Sequence, residues 1–80
     1  MTLDNLTVRT VPQLWEQRTE IFTTSVADLS QLKEIDSAGI AFLVQWAKAR
    51  TPQRLQLRAV PERARRLIQT FKVEPLFELI

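Results

Sequence analysis

EIDSAGIAFLVQWAKAR, residues 34–50, places an acidic, serine-bearing turn directly before the most apolar helix this chain can form. Asp36 and Ser37 are both residue types whose side-chain oxygens accept hydrogen bonds from the free N–H groups of a helix's first turn, so they mark its start. Pro52 stops it, which gives a helix over residues 37–50. At about 100° per residue, Ile40, Leu43, Val44 and Ala47 fall on one stripe and form the natural core face. Phe42, Trp46 and Ala49 lie roughly opposite. A helix apolar on two sides is either buried on both or docks a partner with the second. The Phe42–Trp46 stripe is therefore a candidate partner-binding surface, unless the first helix or the C-terminal tail covers it.

On either side of this helix the chain reads as alternating strands and helices. Upstream, Thr10 and Gln13 have the spacing of a capping box and Pro12 suits a first turn, predicting a helix over 11–23. Leu14, Trp15, Ile21 and Phe22 share its core-facing stripe, interrupted by Arg18. SVADLS then reads as a strand ending near Leu29, and QLKEI as a connecting turn that carries Leu32 and Ile35 inward. Downstream, RLQLRAV alternates Leu55, Leu57 and Ala59 with polar residues, the period of a strand with one buried face. Pro61 opens a third helix with Ala64, Leu67, Ile68 and Phe71 on its apolar side. Pro75 breaks it, and LFELI is an apolar tail that must dock. The strand–helix–strand unit from Val26 to Val60 allows only a parallel pair. Two strands are marginal in water, so a third is expected from LTV in residues 1–9 or from another chain.

Composition bounds the function. Eighty residues make a single domain over 1–80, 45% hydrophobic and 25% charged, without low-complexity tracts or repeats. Such a small domain is marginal without a staple, and with no Cys or His it has neither a disulfide nor a convincing metal site. Partner binding or homo-oligomerisation is the expected supplement, and no cofactor is implied. No apolar run is long enough to span a membrane, which makes the cytoplasm the default location. Residues 1–36 carry three basic and six acidic groups, and residues 37–80 carry eight basic and three acidic. Six of those eight are arginines between Arg50 and Arg66. They are not interleaved with aromatics that could stack on bases, which argues against nucleic acid. A phosphate loop, a nucleophile with its base, and a paired-carboxylate site are all missing from the sequence, so an enzyme is not expected.

Asp36, Ser37, Ala38 and Gly39 alone admit capping, a phosphorylation switch at Ser37, or a docking loop. The longer string VADLSQLKEIDSAGIAFLVQWAKAR resembles the core of STAS domains, the family that includes bacterial anti-sigma factor antagonists and the small cytoplasmic subunit of the Mla phospholipid transporter. The matching parts are the strand ending in Asp28-Leu29-Ser30, the Ile35-Asp36-Ser37-x-Gly39 turn and the apolar helix after it. Upstream, the Leu3-Asp4 pair and Leu14-Trp15 are similar to the Mla subunit. The resemblance implies an α/β fold with a small mixed sheet and helices packed mainly on one face, here short of the family's first strands.

In the antagonists the phosphorylated serine immediately precedes the glycine, and here that position is Ala38. In Mla-type subunits a hydroxyl residue follows the aspartate at the contact with the transporter ATPase, and Ser37 matches it. The resemblance therefore implies a non-catalytic subunit of an Mla-type phospholipid ABC transporter, held at the inner membrane through the complex. It would bind the ATPase, support its assembly and activity, and help maintain outer-membrane lipid asymmetry without touching lipid itself. The partner-binding set implied is Asp36, Ser37, Ala38, Gly39, Phe42 and Trp46. The alternative is an anti-sigma factor antagonist or another regulatory STAS protein.

Overall fold

The computed structural model of the chain describes residues 3–80. The first half forms β1 (Asn5–Leu6), α1 (Val11–Glu16), α2 (Arg18–Ile21), β2 (Val26–Asp28) and β3 (Glu34–Ile35). The second half forms α3 (Ser37–Arg50), β4 (Leu55–Arg58), α4 (Glu62–Thr70), a 3-10 turn (Glu74–Leu76) and β5 (Phe77–Leu79). The class is α/β, as expected, and α3 has the expected bounds.

The strands form two small sheets instead of one mixed sheet, and every pairing among the described residues is parallel. One sheet has the order β2-β4-β5 and the other pairs β1 with β3. The third strand of the main sheet is the apolar tail: Phe77 sits opposite Leu55 and Leu79 opposite Leu57, and the Ile80 N–H donates to the Leu57 carbonyl at 2.9 Å. The N-terminal strand is Asn5–Leu6, slightly earlier than LTV, and it pairs with Glu34–Ile35 inside the segment expected to be a turn. Leu3 extends this contact by donating its N–H to the Asp28 carbonyl at 3.1 Å.

Side chains on the main sheet alternate as a one-sided sheet requires. Ala27, Leu55, Leu57 and Phe77 are buried under the helices, whereas Gln56, Arg58 and Glu78 point to the other side, where Gln56 Nε2 donates to Glu78 Oε1 at 3.1 Å. Parallel sheets usually have both faces covered. This one leaves a polar face to water.

The expected single helix over 11–23 is broken at Gln17, whose ψ of 9° leaves helical geometry. Thr10 does not close a capping box; its hydroxyl accepts the Thr7 N–H at 3.0 Å and donates to the Asn5 carbonyl at 2.9 Å, folding the preceding loop instead. The break also shifts the helical phase. Ile21 reaches the core, whereas Trp15 is 38% exposed, edge-on to Phe22 and under the Arg18 guanidinium, which lies 4.4 Å from its ring.

Phe42 and Trp46 do not form a surface. Both are buried, so the expected partner-binding stripe is corrected to a core stripe. Phe22, which ends α2, covers them, stacked on Trp46 at 6.1 Å and tilted over Phe42 at 5.5 Å between ring centroids. The Trp46 indole N–H donates to the Thr24 carbonyl at 3.0 Å, so its one polar group is satisfied inside. Helix α3 is therefore buried on both of its apolar sides. A strip through Ser37, Ala41, Gln45 and Lys48 stays exposed, with Val44 half-buried beside it and Ala49 exposed in the last turn.

Candidate functional site

The turn that opens α3 is organised by one carboxylate. Asp36 has extended backbone angles, as an N-cap residue should, and its Oδ1 accepts the N–H groups of Ala38 at 2.9 Å and Gly39 at 3.2 Å. Its Oδ2 accepts the Val8 N–H at 2.9 Å, which ties the loop after β1 to the helix start. The Asp36 N–H donates in turn to the Leu6 carbonyl at 3.1 Å. The Val8 N–H contributes most to holding the carboxyl below its ordinary value; burial opposes it, and the Gly39 and Ala38 N–H groups and the Arg63 charge add to the lowering.

Gly39 is buried where the first turn of α3 crosses β1. A Cβ at this position would fall on the Leu6 carbonyl oxygen and within 2.7 Å of Leu6 Cβ. Backbone, not a flexible side chain, blocks it. Glycine is thus required by close approach and not by its dihedral angles.

Ser37 is exposed at the first position of α3, Ala38 is half-buried and Gly39 is interior. The four turn residues thus divide their roles: Asp36 caps, Gly39 packs, and Ser37 faces outward. Next to Ser37 lies an open hollow of about 320 Å³ lined by Ala41, Val44 and Gln45 of α3 and by Phe71 and Val73 beyond α4, with Ile40 beneath. Phe71, expected in the core, is 48% exposed. It sits there because α4 ends in a Schellman turn. Lys72 takes a left-handed φ of 57°, its N–H donates to Gln69, and the Val73 N–H reaches back to Ile68. The chain reverses around Lys72 and leaves the Phe71 ring beside α3.

The arginine cluster is dispersed. Arg50 donates to the Thr23 carbonyl at 3.1 Å, Arg63 Nε donates to the Ile35 carbonyl at 3.1 Å, and Arg66 pairs with Glu62 at 3.2 Å. Arg50 and Arg63 thus tie separate segments together, whereas the Arg66–Glu62 pair is exposed within α4. Among the described residues no group of His, Cys, Asp or Glu side chains is placed to hold a metal ion, and no helix is long and apolar enough to cross a membrane.

The family model described as Mlab, STAS domain matches residues 4–78, nearly the whole chain. This chain belongs to the STAS family. No curated protein and no solved structure matches it. Within this STAS domain, the structure keeps Asp36 through Gly39 together at one helix start and separates them from Phe42 and Trp46. The residues that replace those aromatics at the surface, Ala41, Val44 and Phe71, were not among the expected site residues. A local signal for the first existed: Ser37, Ala41 and Gln45 recur every four residues and share one helix face. None existed for Phe71, whose place depends on how α4 ends.

Proposed function

We propose that this STAS domain is a non-catalytic subunit that docks on the ATPase of an Mla-type phospholipid ABC transporter and supports its assembly and activity, and with them outer-membrane lipid asymmetry. The domain acts in the cytoplasm and is held at the inner membrane by the complex alone. The observation that carries this reading is the exposed hydroxyl of Ser37 at a capped helix start, bordered by the mainly apolar hollow of Ala41, Val44 and Phe71. A small donor and acceptor next to an apolar recess suits a helix-sized knob of a partner protein. Membership of a family whose description names Mlab favours the transporter over a sigma-factor system. Ala38 favours it as well, since the position immediately before the glycine holds no hydroxyl.

Ser37→Glu and Ala41→Glu test the face. An acidic residue in the first turn suits the helix dipole, and Ala41 is exposed, so both variants keep the fold. Each should weaken capture of the ATPase about tenfold or more, equivalent to about 1.4 kcal/mol. Wild-type capture by both variants, with unchanged melting, would remove this face from the reading. Trp46→Ala, by contrast, reports on the core.

A further inference from the structure

On the other side of the α3 start, Asp36 lines a second and larger depression of about 720 Å³. Three cations from three separate segments reach it: Arg9 from the loop after β1, Lys33 before β3, and Arg63 of α4. Among the described residues the one ion pair is Arg66–Glu62, so none of the three has a carboxylate within pairing distance. Two carboxylates share the depression, Asp36 and Glu34. Asp36 is spent on its own loop, both oxygens being taken by the N–H groups of Val8, Ala38 and Gly39. Val8 stands at the same rim, 67% exposed. An exposed branched apolar side chain amid cations that have no carboxylate within pairing distance is what a surface shows when its complement lies on another molecule.

We propose that this cleft receives an acidic segment of the same ATPase that docks on the Ser37 face, its carboxylates meeting Arg9, Lys33 and Arg63 while an apolar residue covers Val8. The inference rests on the docking reading and extends it across the α3 start, since Asp36 and Ser37 are consecutive and line adjoining depressions. Carboxylates fit better than a phosphate. A phosphate site at a helix start relies on free backbone N–H groups, and here Asp36 has already claimed those of Ala38 and Gly39. What remains is side-chain cations at an open rim, a geometry that accelerates association and selects the partner more than it slows release.

The double variant Arg9→Glu/Lys33→Glu tests this, because neither side chain caps, packs or bonds within the described fold; Arg54→Glu, beyond the far end of the helix, is the charge control. Association with the ATPase is followed by surface plasmon resonance at low and high ionic strength. The double variant should lower the association rate constant about tenfold at low salt, with a smaller difference at high salt and little change in dissociation. Arg54→Glu should behave as wild type. A double variant no slower than Arg54→Glu overturns the cleft proposal while docking stands; a wild-type chain that does not bind the ATPase overturns both. Inorganic phosphate is the second arm: slowing no greater than that from chloride at matched ionic strength supports a protein carboxylate partner, and selective inhibition by phosphate overturns it.

Discussion

Asp36 and Gly39 are three residues apart and fix the same contact from opposite sides, one by bonding and one by absence. Glycine is normally the poorer helix former by about 1 kcal/mol relative to alanine. At this position the sign reverses, because a methyl group would meet the Leu6 backbone. Gly39→Ala should therefore destabilise the domain by about 1–3 kcal/mol, read from urea denaturation; a stabilised variant would show that β1 yields easily. Asp36 supplies the pH dependence. Its folded-state carboxyl is held below the ordinary value, so its contribution is complete above the unfolded-state value near pH 4 and is lost as pH falls through the lower folded value. Asp28 behaves in the same sense, chiefly through the Ser30 N–H. Asp36→Asn keeps a capping oxygen but should lose part of the stability decline seen as pH falls below about 4, measured by denaturation midpoints. The cap was legible in the sequence because it is local chemistry. The tie to Val8, 28 residues away, was not.

At the scale of elements, legibility followed length. Helix α3 runs 14 residues between a cap and a proline, and its bounds could be read directly. Strands β1 and β3 are two residues each, too short for a period-two pattern to register. The apolar tail was recognisable as something that must be covered, yet its pairing with β4 joins segments about twenty residues apart. Helix α3 also shows what an angular projection leaves open. It located two apolar stripes, but the covering of Phe42 and Trp46 depends on Phe22, placed by the break at Gln17. The end of α4 allows a direct test. Lys72 occupies a left-handed position that glycine adopts without strain, so Lys72→Gly should raise stability by about 0.5–1 kcal/mol. An unchanged or lowered thermal midpoint would show that the lysine side chain makes a compensating contact.

For the molecule as a whole, the core closes without a disulfide, the sequence having no cysteine. A folded monomer of this mass exposes about 5,000 Å², and this chain exposes 5070 Å² with a radius of gyration of 11.1 Å. The expected need for a partner to complete the sheet is met within the chain by β5. Partner binding then concerns function more than folding, and two broad surfaces remain to distinguish: the polar side of the main sheet, with Gln56, Arg58 and Glu78, and the α3 start between Val8 and Phe71. The second is the proposed docking face. It is tested most directly by adding the transporter ATPase to isotopically labelled domain and following its amide and methyl NMR signals. Perturbations should centre on Ser37, Ala41 and Val44 and spread to Val8 and Phe71, leaving Gln56, Arg58 and Glu78 unmoved. Perturbations centred on those three sheet residues, with Ser37 and Ala41 unaffected, would contradict it.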